Sequence, residues 1–174
     1  MQKISITSNF FHNLLSKDED LAAKTKEAGC LNCAGVLNVS NFPRKPRGIP
    51  DDFTSFFLIR LSLCCRRCRK RVTPPSVRFW GRRIYTAITI LLYLLSLLIE
   101  ENRDTITIKT AKRWTNYFQT IFTKGDFWRA RQGDFMPSLN LNHIIPSLAE
   151  KFEQRDAVER WRAILCYLAP AFVP

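Results

Sequence analysis

Cys64-Cys65-Arg66-Arg67-Cys68-Arg69-Lys70-Arg71 decides how the chain is read, because it sets thiols and cations in one short run. Upstream stands Cys30-Leu31-Asn32-Cys33. Two CxxC pairs at that separation have the spacing of a four-thiolate zinc ribbon. Thiolates are soft and anionic, so they suit Zn2+, and four of them close a structural site with no position left for water. A ribbon of this size has too little core to fold without its metal. The residues before the second pair bear on which of the adjacent cysteines is a ligand. If Phe56 to Cys65 is a strand, Phe57, Ile59, Leu61, Leu63 and Cys65 share one face, and Arg60, Ser62 and Cys64 the other. The expected ligands are Cys30, Cys33, Cys65 and Cys68, with Cys64 left open as the alternative third ligand.

Working outward, Gly35 suits a tight turn beside the first pair, and Val36, Leu37 and Val39 read as a short strand. The run 41–50 carries three prolines, which fix φ and remove donors, so it reads as a loop presenting Arg44, Lys45 and Arg47. Beyond the second pair, Arg69, Lys70, Arg71, Arg78, Arg82 and Arg83 interleave with Phe79 and Trp80, a mixture suited to phosphate contact and stacking. The chain carries a net charge of +12, of which +10 lies between Asn41 and Arg83. So concentrated a charge points to a polyanionic partner, double-stranded DNA above all, rather than to general solubility.

Ile84 to Ile99 is the most apolar run, just short of the roughly 17 residues that a membrane span needs. Threonines, a serine and two tyrosines interrupt it, so a buried central helix is expected. After a break at Asn102-Arg103-Asp104, a helix capped by Thr107 is expected to reach Phe122. Ala111, Trp114, Phe118 and Ile121 would face a core and leave Lys109, Lys112, Arg113 and Asn116 outside, as on a helix-turn-helix recognition helix. Gly125 to Asn142 reads as a connector whose Phe127, Trp128 and Phe135 pack on helices. Ser147-Leu148-Ala149-Glu150 has the form of a capping box. The helix it opens would bury Leu148, Phe152, Val158, Trp161, Leu165, Cys166 and Leu168 and stop at Pro170.

At the other end, Phe10, Phe11, Leu14 and Leu15 suit one face of a short helix, and Lys17 to Glu27 a second helical turn or a solvated arm. Met1 to Leu15 lacks the basic start, apolar stretch and cleavage site of a secretory leader. A cytoplasmic location is therefore expected, with metal thiolates rather than disulfides. The fold class expected is α+β, mostly α: a four-cysteine zinc ribbon followed by a helical bundle of helix-turn-helix type. Residues 1–28 would be a partly helical or disordered leader, 29–83 the ribbon with its basic loops, and 84–174 the helical domain.

The run from Asn41 to Gly48, the double cysteine and the stretch from Thr73 to Tyr85 together resemble a family of small bacterial zinc-ribbon proteins associated with mobile elements. These are similar to the zinc-ribbon and helix-turn-helix front ends of transposases. The likeness extends more loosely to Lys112-Arg113-Trp114, and the knuckle Cys64 to Cys68 is shorter than the family pattern. The resemblance implies DNA binding at element ends, beside a transposase or other element-encoded protein. Enzyme readings find little purchase. His12 and His143 are the only histidines and lie far from the cysteine pairs, and no nucleophile elbow or phosphate-binding glycine loop occurs. The expected function is non-catalytic, sequence-recognising DNA binding. The alternatives are a single-span membrane protein with a cytoplasmic zinc ribbon, and a zinc-ribbon protein–protein adaptor.

Overall fold

The computed structural model describes residues 8–47, 49, 53–81, 83–95, 106–152 and 156–172. These fall into two compact units, one made of residues up to 86 with those from 168 onward, the other of residues 87–167.

The first unit begins with α1 (Ser8–Ala28), one continuous helix where a short helix followed by a turn or arm was expected. Phe10, Phe11, Leu14, Leu15 and Asp18 are buried, the spacing of a single helical face. Gly29 ends the helix with φ 76°, a left-handed conformation that costs glycine little. Phe11 meets Phe53 and Phe57 edge-on, with centroids 4.9 and 5.8 Å away. The residues expected to form a leader therefore carry part of this unit's core.

The strands are short. β1 (Leu37–Val39), β4 (Leu63–Cys65) and β5 (Arg71–Val72) form an antiparallel sheet in the order β1-β4-β5. Its register pairs Leu37 with Cys65 and Leu63 with Val72. β2 (Phe42–Pro43) and β3 (Ile59–Arg60) form a separate two-stranded pair. The single strand expected from Phe56 to Cys65 is therefore broken. Ser55–Leu58 is a 3-10 turn, and β3 and β4 belong to different sheets. The corner between them is pinned where Ser62 N–H donates to Asn41 Oδ1 at 3.0 Å and Ser40 N–H donates to Ser62 O at 2.8 Å. The side chains change phase there, so Arg60 and Ser62, expected on the face opposite the apolar one, are buried.

Asp18 is the electrostatic centre of this unit. Its fully buried carboxylate accepts from Ser76 Oγ at 2.6 Å, Val77 N–H at 2.7 Å and Arg78 Nε at 2.8 Å. Arg78 also donates to the carbonyls of Phe57 and Ile59. Buried Arg60 donates to Pro74 O at 2.6 Å, and burial pushes its guanidinium down to about 10. Trp80 stacks on Phe172 with centroids 4.6 Å apart.

In the second unit, α2 (Ala87–Leu94) buries every residue from Ala87 to Leu92. The buried helix expected over Ile84 to Ile99 is shorter at its start: Ile84 is 53% exposed, Tyr85 and Thr86 are buried ahead of the helix, and Tyr93 to Leu95 are partly buried. Ser96 to Ile99 and the break at Asn102-Arg103-Asp104 lie outside the described residues. Among those described, no helix is long and apolar enough to cross a membrane. α3 (Ile108–Asn116) is capped as expected, Thr107 Oγ1 accepting from Thr110 N–H at 3.3 Å. Ala111, Trp114 and Phe118 are buried, but Ile121 is 57% exposed and Phe122 takes its place. The reason is a π-helical turn over Tyr117–Ile121, whose wider loop admits one extra residue and slips the core stripe by one position.

The expected connector contains α4 (Asp126–Arg131), with Trp128 buried. The capping-box expectation fails: α5 (Ile144–Lys151) begins three residues earlier, so Ser147 lies inside it. The single C-terminal helix is also two. α6 (Ala157–Leu168) has its own start, where Asp156 Oδ1 accepts from the N–H groups of Val158 and Glu159. Val158 and Cys166, expected in the core, are exposed. The stripe instead runs through Trp161, Ile164, Leu165 and Leu168.

Candidate metal centre

Two turns with the same backbone wiring build the site. In the first, Cys30 N–H donates to Gly35 O at 3.1 Å and Ala34 N–H to Cys30 O at 2.7 Å. In the second, Cys65 N–H donates to Lys70 O at 2.9 Å and Arg69 N–H to Cys65 O at 3.0 Å. The residue after each pair is left-handed, Ala34 at φ 54° and Arg69 at φ 60°. Cys65 thus occupies in its turn the place Cys30 occupies in the first, and Cys68 the place of Cys33. This equivalence answers the question left by the double cysteine: Cys65 joins the cluster, while Cys64 Sγ lies 3.5 Å from Arg69 O.

The four sulfurs of Cys30, Cys33, Cys65 and Cys68 all lie within 4.8 Å of one another. Cys30 and Cys68 approach to 3.6 Å, and Cys33 and Cys65 to 3.5 Å. A tetrahedron with Zn–S bonds of about 2.3 Å has edges of about 3.8 Å, so the thiols already stand near the spacing zinc requires. Gly35 serves the site by its missing side chain rather than by a glycine-only backbone angle. A Cβ there would sit 3.0 Å from Cys65 Sγ, 3.1 Å from Arg67 Cβ and 3.3 Å from Cys33 Sγ.

Backbone amides prepare the sulfurs to ionise. The Cys68 N–H lies 3.4 Å from Cys65 Sγ and is the main influence bringing that thiol down to about 6. The Asn32 amide lowers Cys30 likewise. The Gly35 amide pulls Cys33 down, but its neighbour Cys65, burial and the other thiols outweigh it and push Cys33 up to about 11. The amides thus favour the thiolate at Cys65 and Cys30, whereas the crowding of sulfurs disfavours it at Cys33. A divalent cation removes that conflict, because its charge favours the thiolate at all four sulfurs and displaces their protons. Cys30, Cys33, Cys65 and Cys68 would hold Zn2+ as a closed structural site, its chemistry being cross-linking of the two turns. Leu37 and Leu63 form the small apolar floor beside it.

The cations expected to meet DNA divide by environment. Lys45, Arg47, Arg69, Lys70 and Arg71 are exposed, as are Lys109, Lys112, Arg113 and Asn116 along α3. Arg71 also donates to Ser40 O, and its guanidinium lies 5.3 Å from the Phe42 ring centroid. Arg78 must be withdrawn as a phosphate contact: it is fully buried in its pair with Asp18. Arg44 is half-buried, with its guanidinium donating to the carbonyls of Gly81 and Arg83, and burial lowers it. Arg83 donates to Trp80 O and lies 5.0 Å from the Phe172 ring centroid. Arg44 and Arg83 thus fasten loops within the unit. Arg82 lies outside the described residues.

Sequence reasoning passed over exposed Arg66 and Arg67 inside the second turn, although their place between ligands was a signal. It also missed Asp18, because nothing in the acidic run Asp18-Glu19-Asp20 marks the first acid as the buried one.

The fold and site together define a small zinc-ribbon-like sheet carrying a four-cysteine centre, followed by a helical bundle. Comparison with protein-family models, with curated proteins and with solved structures gave no match for the chain.

Proposed function

We propose that the protein is a non-catalytic, sequence-recognising binder of duplex DNA, stapled by zinc. Its setting is a bacterial mobile element, where it acts in the cytoplasm as an accessory or regulator beside a transposase or other element-encoded protein. The observation that carries the DNA reading is a set of exposed cations on a metal-centre turn, with no acid within either cysteine turn. Arg66, Arg67, Arg69 and Lys70 are all exposed around the thiols, and neither 29–50 nor 53–99 contains an Asp or Glu. Cations fixed on such a turn lose little entropy on meeting phosphate. The exposed α3 face, with Lys109, Lys112, Arg113 and Asn116, supplies groups able to reach base edges. The mobile-element setting rests on the sequence resemblance, and the non-catalytic reading on the scarcity of histidine and of nucleophile motifs.

An electrophoretic binding assay over a range of salt, with and without chelator, tests the proposal. Affinity should fall with salt at a slope near −0.9 for each phosphate neutralised, and chelation should abolish binding. Arg113→Ala should relax discrimination between sequences by roughly 1–3 kcal/mol. Equal affinity for every duplex, indifferent to chelator and to Arg113→Ala, would sink the reading.

A further inference from the structure

Leu31 stands at the tip of the first turn, 94% exposed. The backbone beneath it is fixed, since Cys33 and Ala34 N–H both donate to Cys30 O. Exposed Lys70 reaches across from the second turn to Asn32 Oδ1 at 2.6 Å, bringing the two tips together. Val36 is also exposed, and its carbonyl accepts from Arg66 N–H at 2.9 Å. The tip is thus an apolar prong on a fixed base, beside a second turn that exposes Arg66, Arg67, Arg69 and Lys70. Proteins that kink DNA use this combination: an apolar wedge enters between base steps while cations hold the flanking phosphates.

We propose that the first turn inserts Leu31 between base pairs from the minor groove and bends the duplex there, with these four cations clamping the phosphates. This rests on the DNA-binding reading above and adds to it where the duplex is entered and how it is deformed. The prong is prearranged by the thiolate cluster, so insertion orders little that was not already ordered. Pyrimidine–purine steps unstack most readily, so the bend should settle on TA and CA/TG steps. An anionic membrane would also meet the cations. Binding at a membrane interface draws on a broad apolar face rich in aromatic side chains, whereas neither 30–36 nor 65–70 contains an aromatic residue, and Leu31 and Val36 are the large apolar side chains exposed there. One leucine beside one valine is a small anchor for a bilayer and a sufficient wedge for a base step.

The test uses the full zinc-loaded chain and duplexes of about 30 base pairs with dyes at both ends and 2-aminopurine at a central TA step. The wild type should shorten the end-to-end distance and raise the 2-aminopurine fluorescence. Leu31→Ser should lose both signals while keeping its zinc content, melting temperature and salt slope. Arg66→Ala should lower the salt slope by about one unit yet leave the bend of bound duplex unchanged. If Leu31→Ser bends DNA as the wild type does, or the wild type bends none, the wedge is wrong, and salt-dependent binding alone would leave the DNA reading standing. Absence of duplex binding at every salt concentration overturns both. Binding to phosphatidylserine vesicles instead of duplex, lost in Leu31→Ser, overturns the wedge in favour of a membrane.

Discussion

Around the four thiols the buried aliphatic side chains are Leu37 and Leu63, with Val72 partly covered, whereas the helical unit buries Trp114, Phe118, Phe122, Trp128 and Trp161. Two buried leucines supply about 1.5–3 kcal/mol each, too little to order turns and strands of two or three residues. The aromatic side chains bring far more area, and their edges and faces interlock: Tyr93 meets Trp114 at 5.5 Å, and Phe122 lies 5.8 Å from Trp128. Where apolar surface is scarce, order comes from a few strong, specific bonds. Where it is plentiful, order comes from many weak contacts. The first arrangement should fail all at once when one partner is removed, the second by degrees.

The contrast is broken most forcefully by taking the metal away. Structural zinc contributes on the order of 10–16 kcal/mol of apparent free energy in small thiolate domains. Chelation, or Cys65→Ser, should therefore unfold the two turns, while helical circular dichroism from residues 87–167 persists; Cys64→Ser should keep its zinc. Full zinc in the Cys65→Ser protein would refute the ligand assignment, and simultaneous loss of all helical signal would show that the two units stand or fall together.

A smaller effect is expected at the buried ion pair. Asp18→Asn leaves the Arg78 guanidinium buried without its counter-charge, which should cost about 3–5 kcal/mol in denaturant unfolding. Replacing the pair together, as Asp18→Leu with Arg78→Met, should recover part of that loss by removing the Arg78 charge, but not all of it, because buried Arg60 loses the favourable Asp18 charge and Ser76 Oγ and Val77 N–H lose their acceptor. A single-mutant loss below about 1 kcal/mol would mean that water reaches the pair as it would on a surface. The smallest effect belongs to the helical unit: Thr107→Ala removes the cap of α3 and should cost about 1 kcal/mol, with zinc content unchanged.

How far the sequence could be read follows the same division. The thiol ligands were legible because CxxC is a local pattern and its chemistry is narrow. The buried stripe of α3 was legible, and on to Phe118 in the following turn, because helical periodicity is local too. It went out of step at Ile121, where the π-helical turn depends on packing that no periodicity announces. The phase of Phe56 to Cys65 failed for a related reason, since Ser62 is pinned by Asn41, a residue far back in the chain. Arg78 looked like one more cation in a basic run. Its partner Asp18 lies in another element, and nothing local marks a charge as buried.

The stack of Trp80 on Phe172 bears on the order in which the protein is made. All four thiol ligands have left the ribosome soon after Cys68, so the metal can be loaded early. Phe172 is added roughly ninety residues after Trp80, a delay of about 5–20 s at ordinary rates of synthesis. Throughout that interval the indole of Trp80 lacks its covering ring, and the nascent chain carries a finished metal centre beside an unfinished apolar surface. A chaperone that binds exposed aromatic side chains would find its substrate in that window, and would lose it when the last turn closes.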